Sequence, residues 1–520
     1  MTPQNNPENN LIWPRGAICQ RFSRRAFLKM AGLTALSAAA AGCAPARSNL
    51  AAATPTFGKS DVEVKLSAQE IDWELAPGKV IRAWTYNGAV PGKAIRVREG
   101  DRVRVSLKNE LPEPTTIHWH GIDVPTHMDG VPDISQPAVQ PGETFVYEFE
   151  ARPAGTRWYH THVNSARQQD FGLSAPFIIE PLAADAPTDR EYTLMLDDWV
   201  TDPTNANESP EGGGMMGGGM MGDGSSDESG MMGQGGMMGG MMQGMMGDDG
   251  PPYDTFTING KAFPATEPLE VKRGDRVRLR LINASNMQTF TLRLVGHRLQ
   301  VTHTDGNPLQ EPVEVDAVPI APAERYDVTF VADNPGKWPL VALDTEHTKG
   351  GLKTLVVYEG FESATEAEIP ASERRLRLWS YGLGQGVDFL PPATEDVEVY
   401  ALTLSGGPMM SADPNVWTIN GQVYPETELL AAHRDQLVYM QLFNMSMHAH
   451  PFHLHGQSFR VVSINGQGLS APLIKDTVEV PAMMGAVELE FVAYNPGDWM
   501  FHCHKPLHMD GGMATLVKIA

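Results

Sequence analysis

Four His-x-His triplets stand out in the chain: His118-Trp119-His120, His160-Thr161-His162, His453-Leu454-His455 and His502-Cys503-His504. In an extended strand, side chains two apart share a face, so each triplet presents two imidazoles side by side. Eight imidazoles exceed what one tetrahedral zinc accepts, because four ligands close such a site. They suit a cluster of several metal ions, with two triplets supplied by each of two domains. Cys503 lies between two of these histidines and therefore points to the opposite face. His450 is out of phase with the 453/455 pair, and His508 and Met513 follow Cys503 around Gly511-Gly512. A thiolate, two imidazoles and a weak axial thioether form the donor set of a blue-copper site. Cys503 is then joined, through one backbone step each way, to two ligands of the cluster. That is an electron path written into the chain. A lone His-x-His is more often a pair of core or surface residues, and a zinc hydrolase has no need of cysteine between two histidine ligands.

The elements that must hold these groups repeat three times. The landmarks are Tyr86-Asn87-Gly88-Ala89-Val90-Pro91, Ile258-Asn259-Gly260-Lys261-Ala262-Phe263-Pro264 and Ile419-Asn420-Gly421-Gln422-Val423-Tyr424-Pro425. Each is followed by an alternating segment with a turn, over 95–109, 269–283 and 429–444, which predicts paired strands with one buried face. The Asn-Gly pairs lie far enough apart for the repeat to be a whole domain. A second landmark recurs as Gly155-Thr156-Arg157-Trp158, Pro335-Gly336-Lys337-Trp338 and Pro496-Gly497-Asp498-Trp499. Short strands with frequent Gly and Pro turns predict an all-β chain of three β-sandwiches. The first and third repeats carry the histidines. In the second, Thr291-Leu292-Arg293-Leu294-Val295-Gly296 and Trp338-Pro339-Leu340-Val341 stand where the triplets would be. Domains one and three are expected to carry the chemistry, and domain two to be a spacer or platform.

The length of 520 residues agrees with three domains at roughly 150 residues each. The predicted boundaries are 1–53 for a signal and linker, then 54–185, 186–365 and 366–520 for the three domains. A net charge of −23 argues against binding the phosphate backbone of a nucleic acid. Cys19 and Cys43 lie near the N-terminus, which leaves Cys503 alone in the body and excludes a disulfide framework. Ser23-Arg24-Arg25-Ala26-Phe27-Leu28-Lys29 precedes an Ala-rich apolar run from Met30 to Ala41 that is too short to span a membrane. The pattern is that of a twin-arginine export signal, so a periplasmic location and a monomer are expected. Cleavage after Ala46 or within Ala51-Ala52-Ala53 fits this reading. Cys43, after Ala41-Gly42, is an alternative point for a lipid anchor, although Ala40 stands where such signals prefer Leu.

From Gly212 to Gly247 the chain contains 12 Met and 16 Gly, with only Ser, Asp, Glu and Gln besides. Such a stretch has too little to bury, so it is expected as a flexible insertion. The methionines come in pairs, among them Met215-Met216 and Met241-Met242. Thioether sulfur is a soft ligand that selects Cu(I), and it forms no disulfides in an oxidising compartment. A neutral linker would be served by Gly and Ser alone, so the density of Met points to copper handling.

With these motifs in place, the sequence resembles the three-domain, laccase-like multicopper oxidases over essentially the whole chain after its signal. The resemblance implies three cupredoxin-like Greek-key sandwiches and four copper ions. It assigns type 1 copper to His450, Cys503, His508 and Met513, and type 2 copper to His118 and His453. The type 3 pair falls to His120, His160 and His504 on one ion, and to His162, His455 and His502 on the other. It implies that electrons from a reducing substrate pass through Cys503 to a trinuclear cluster where O₂ becomes water. Asp129 matches the family's acidic residue near that cluster, with proton delivery or tuning of bound water as its implied role. Many bacterial relatives have an acid directly after the residue matching His508, whereas this chain has Met509 and then Asp510.

Met-rich insertions also mark the cuprous oxidases of bacterial copper tolerance, which the chain resembles, although there the insertion usually lies in the third domain. Their substrate-copper site matches Ser446 and His448 here, flanked by Met445 and Met447, so Met447 and His448 are candidate ligands for Cu(I). Met483-Met484 is a candidate for the same surface. The expected activity is oxidation of Cu(I), and of phenolic donors less selectively. A laccase-type phenol oxidase and a copper-sequestering protein are the alternatives.

Overall fold

The computed structural model describes residues 61–183, 186–201, 250–370, 376–380, 385–386, 397–408, 410–411 and 413–520. The expected signal and linker at 1–53, with Cys43, lie outside these residues, as does the segment 212–247 with Met215, Met216, Met241 and Met242. Among the described residues no helix is long and apolar enough to cross a membrane.

The alternating segments become strands that pair into six sheets, two for each repeat. In the first sandwich one sheet runs Lys79–Tyr86, Val62–Ala76, Arg102–Asn109, Thr144–Glu150; the other runs Ile95–Arg98, Ser174–Glu180, Gly155–His160, His118–His120. The third sandwich follows the same plan. Its larger sheet is built around Val397–Gly406, Leu437–Asn444 and Ala486–Val492, and its smaller one around Ala514–Ile519, Gly497–Cys503 and His450–Leu454. The second sets a sheet containing Arg190–Trp199, Arg276–Asn283 and Arg325–Val331 against one containing Lys353–Tyr358, Lys337–Ala342 and Phe290–Leu294. The chain crosses repeatedly between the two sheets of a sandwich, as in a Greek key. The fold is the all-β, three-sandwich arrangement expected from the repeats.

One pairing repeats in register. Val62–Ala76 runs parallel to Arg102–Asn109, Arg190–Trp199 to Arg276–Asn283, and Val397–Gly406 to Leu437–Asn444. Each parallel partner ends in a buried asparagine whose side chain staples the loop beyond it. Asn109 Nδ2 donates to the carbonyls of Glu113 and Val139, Asn283 Nδ2 to those of Gln288 and Ile320, and Asn444 Nδ2 to those of His448 and Pro481. Their Oδ1 atoms accept from the backbone of Leu111, Ser285 and Ser446. Satisfying so many buried polar groups with one side chain fixes where the following strand starts. In the first and third sandwiches that following strand carries the histidines.

Strict alternation holds where one face meets solvent, as in Arg102–Asn109, whose residues are buried at every second position. It fails in Arg276–Asn283, where Arg278 and Arg280 are buried too. The reason is packing: Arg280 reaches the first sandwich, donating to Thr156 Oγ1, and pairs with Asp327 and Glu191. After 366, the sequence-based start of the third domain, the chain still runs along the second sandwich. Trp379 Nε1 donates to Tyr326 Oη, and Gln385–Gly386 pairs with Asn307–Val315. The first strand of the third sandwich begins at Val397.

Candidate metal centre

Strand pairing brings the triplets together. His118–His120 lies antiparallel to Gly155–His160, with His118 opposite His160; His450–Leu454 lies antiparallel to Gly497–Cys503, with His453 opposite His502. The two strand pairs face each other between the first and third sandwiches, and all eight imidazoles are buried there. Ligand atoms lie within 4.8 Å of one another in the groups His120, His160, His504; His162, His455, His502; and His118, His120, His453. Three triplets divide their two rings between groups, His118 and His120 share one, and every group draws on both domains.

The other face of the Cys503 strand forms a separate group of His450, Cys503 and His508. Cys503 Sγ lies 3.6 Å from the Nδ1 of each imidazole. Met513 is buried, and the Cys503 N–H donates to its carbonyl. His508 sits on the short helix Pro506–Asp510 and stacks on Trp417, with ring centroids 3.8 Å apart. Ser446, the match to a substrate-copper acid in cuprous oxidases, is buried instead, with Oγ 2.7 Å from His450 Nε2. It orients the ring that faces the thiolate.

Hydrogen bonds on the outer sides of the cluster rings settle which nitrogens carry protons. The Nδ1 atoms of His118, His160, His453 and His502 face the carbonyls of Asp129, Thr161, Asp476 and Cys503 at 2.8–3.0 Å. A carbonyl only accepts, so these nitrogens donate and the Nε2 atoms keep their lone pairs. His455 Nδ1 faces Asp129 Oδ2 at 2.8 Å, and His120 Nε2 faces Asp476 Oδ1 at 3.1 Å. The inward nitrogens then meet lone pair to lone pair: His118 and His453 at 3.4 Å, His120 and His160 at 3.4 Å, His455 and His502 at 3.0 Å. Such contacts repel unless cations lie among them. His162 Nε2 is buried with no hydrogen-bond partner, as a nitrogen kept for a cation would be. Burial, reinforced by neighbouring rings, pushes the imidazoles of His120, His160, His162, His450, His453, His455 and His504 well below their usual range. His502 is pushed down to about 4, also by burial. These eight rings are neutral at pH 7, which is the form that binds metal.

Sequence patterns described as multicopper oxidase match residues 67–184, 190–360 and 401–520. The chain belongs to the multicopper oxidase family. It is 34% identical to multicopper oxidase MmcO of Mycobacterium tuberculosis, over 95% of this chain and 96% of that protein. It is 27% identical to a copper resistance protein A homolog of Pseudomonas syringae pv. tomato, over 96% of this chain and 99% of that one. Among solved structures it is similar to a multi-copper oxidase from Pseudomonas thermotolerans, with a TM-score of 0.66 and 28% identity, covering 89% of this chain and all of the other. The oxidase is thus an O₂-dependent oxidoreductase of a four-copper family, and its histidine groups suit those ions.

Asp129 touches two rings from different sandwiches: Oδ2 faces His455 Nδ1, and Oδ1 lies 3.2 Å from His118 Nδ1. Its approach depends on Gly130, at φ +84°, where a Cβ would lie 1.9 Å from the Ile117 carbonyl. Two residues that matter were missed in the sequence. Asp476 carries His120 on its carboxylate and His453 on its carbonyl, and Arg325 of the second sandwich grips that carboxylate with both Nη atoms at 2.6 Å. Burial opposes charge on Asp476, but Arg325 and then Arg157 outweigh it and hold the carboxyl below its usual range. The only local signal was a Lys-Asp-Thr step interrupting the apolar run around it.

Proposed function

We propose that this oxidase takes single electrons from Cu(I), and less selectively from phenolic donors, and uses four of them with four protons to turn O₂ into two waters. In this reading His450, Cys503 and His508 would hold type 1 copper, with the soft sulfur of the buried Met513 as a further weak donor. His118 and His453 hold type 2 copper, while His120, His160, His504 and His162, His455, His502 hold the type 3 pair. When bound, these ions supply one-electron acceptance and the reduction of O₂. The chain fixes the tautomers of His118, His120, His160, His453, His455 and His502 through carbonyls and carboxylates, and links Cys503 covalently to His502 and His504. Asp129 is the acid that orients His118 and His455 and handles protons beside them.

The observation that carries the Cu(I) reading is a patch of thioethers beside the thiolate group. Met445, Met483 and Met484 are 43%, 54% and 64% exposed. Met483 and Met484 both hold left-handed backbone, at φ 53° and 69°, a conformation costly for side chains of this kind. Two hydrogen bonds maintain it, from Met483 N to the Ser446 carbonyl at 2.9 Å and from Met484 N to the Asn444 carbonyl at 2.8 Å. The loop so gripped also carries Met447 and His448. The His448 ring lies 5.7 Å from Trp417 and 6.2 Å from His508, so the loop adjoins the type 1 ligands. Soft sulfur in that position favours Cu(I). A near full-length relative named for copper resistance supports the same reading.

The segment 212–247, with Met215, Met216, Met241 and Met242, is proposed to raise the local Cu(I) concentration as many weak thioethers on one tether. Export by the twin-arginine route belongs to the proposal and is supported by Ser23–Lys29. The test is steady-state O₂ consumption with Cu(I) and with a phenol, in the parent, a 212–247 deletion and a Met483→Leu/Met484→Leu variant. A fall confined to Cu(I) is expected. Equal effects on both donors, or none, would move a laccase-type phenol oxidase ahead. O₂ uptake no greater than stoichiometric with copper would instead mark a sequestering protein.

A further inference from the structure

Six charged side chains with almost no exposure meet where the three sandwiches join: Arg157 from the first, Asp305, Glu324 and Arg325 from the second, Lys475 and Asp476 from the third. Three are cationic and three anionic, so the group is balanced without solvent. Asp476 Oδ1 and Oδ2 each accept from an Arg325 Nη at 2.6 Å, and Arg157 Nη1 lies 3.5 Å from Oδ2. Lys475 Nζ lies 3.1 Å from Asp305 Oδ2 and 3.2 Å from Glu324 Oε1. Asp305 in turn accepts from the backbone N–H groups of Asp476 and Thr477, at 3.2 and 3.1 Å, and from that of Arg325 at 3.0 Å. The network is held from the second sandwich and ends on two cluster histidines of the other two.

The contact with His120 is unusual within the cluster. His118, His160, His453 and His502 donate through Nδ1 and turn Nε2 inward, whereas His120 donates through Nε2 to Asp476 and turns Nδ1 toward His160. Two acceptors face this nitrogen at 3.1 Å, the Thr477 hydroxyl, which itself donates to Asp476 Oδ1, and the Asp476 carboxylate, the one that carries charge. That carboxylate must be prevented from turning away. A guanidinium fork that meets both carboxylate oxygens fixes the plane of the acid as well as its position.

We propose that Arg325 is a positioning residue for the trinuclear site: the sandwich without ligands sets the ring of His120, and through the Asp476 carbonyl that of His453, by clamping Asp476. The proposal rests on the reading of His120 and His453 as copper ligands. It gives the second sandwich a part in the chemistry that its lack of histidines conceals. Arg325 touches no reacting atom and acts only through Asp476.

The test compares full-length, copper-loaded Arg325→Lys, Arg325→Met and the double variant Arg325→Met/Asp476→Leu with the parent. Four readouts are taken: copper content, the type 2 and type 3 spectroscopic signals, the blue type 1 band with its anaerobic reduction by donor, and melting temperature. Lysine keeps the charge but loses the fork. Arg325→Lys should retain the blue band and its reduction, while O₂ consumption falls by about 10–100-fold with disturbed type 2 and type 3 signals. Arg325→Met leaves a buried acid without its fork and should melt lower. The double variant removes both charges; it should recover much of the melting temperature without recovering the trinuclear signals. A double variant with parental type 2 and type 3 signals would overturn the proposal. So would single variants whose trinuclear signals fall only in step with blue colour and melting temperature. His120→Ala serves as the control on the ligand reading. If it keeps full type 3 copper, that reading fails; if it loses this copper while the Arg325 variants keep theirs, the positioning proposal alone fails.

Discussion

Ser446 Oγ lies 2.7 Å from His450 Nε2, and the same hydroxyl lies within hydrogen-bond distance of the His448 backbone. One buried side chain therefore joins the inner ring that faces Cys503 to the outer loop that carries Met447 and His448. Its partner Asn444 fixes the start of that loop.

Ser446→Ala should loosen both. Removing a buried hydroxyl and leaving its partners unpaired costs about 1–3 kcal/mol, so melting temperature should fall by several degrees. The blue band should shift and its reduction by donor should slow, because His450 is freed to tilt. Visible absorbance and anaerobic reduction measure this. An unchanged band in a destabilised variant would show that Cys503 and Trp417 suffice to hold the ring pair.

Cys503→Ser should remove the blue colour and the oxidation of donors while leaving the three sandwiches folded. The thiolate supplies the charge-transfer band and the backbone path to His502 and His504, whereas the buried Phe452 and Phe501, tilted against each other, keep the core. Absorbance, O₂ consumption and circular dichroism check the three parts. A blue, active serine variant would refute the type 1 assignment.

Asp129→Asn changes a carboxylate that faces His455 and His118 into an amide with one accepting oxygen. O₂ reduction should fall by about 10–100-fold, the usual cost of removing such an outer partner. Anaerobic reduction of the blue site should be unaffected, since its ligands lie on the other strand face. Loss of both together would mean that the division by strand face is wrong.

Asp170 offers a pH prediction away from the metal ligands. Burial pushes its carboxyl up to about 6, against hydrogen bonds from Tyr253 and Asn286 that favour the charge. An acid whose pKa is higher folded than unfolded weakens the fold above the folded value, and the penalty fades as pH falls toward the unfolded value of about 4. Asp170→Asn escapes the penalty, so its melting temperature should gain on the parent as pH rises from about 4 to about 6 and keep that gain above it. A difference that stays constant across that range would place the Asp170 pKa near its ordinary value.

The donor groups were legible because their signal is local. His-x-His in a strand fixes the phase of each ring, and Cys503 falls on the opposite face by the same period of two. The sandwiches were legible from Asn109, Asn283 and Asn444, which end the alternating segments and prove to be the staples of the next loop. The outer partners were not. His120 and Asp476 are 356 residues apart, and Arg325 and Asp476 151 apart, so no periodicity links them. Lys475 and Asp476 look like turn charges until three sandwiches close over them. Arg278 and Arg280 misled for the same reason: alternation gives the faces of a strand, and packing decides which faces are wet. The platform reading of the second sandwich gave no part to Arg325.

The strand register that pairs the histidines recurs in the second sandwich. Arg293 lies opposite Val341 in the pairing that sets His118 opposite His160 and His453 opposite His502. The backbone of a third cradle is therefore present, but its leading position holds a guanidinium that is 6% exposed. A fixed cation of the protein's own occupies the place where the other two sandwiches offer lone pairs. A guanidinium has no lone pair to give, so at this position the shared backbone register does not supply a ligand.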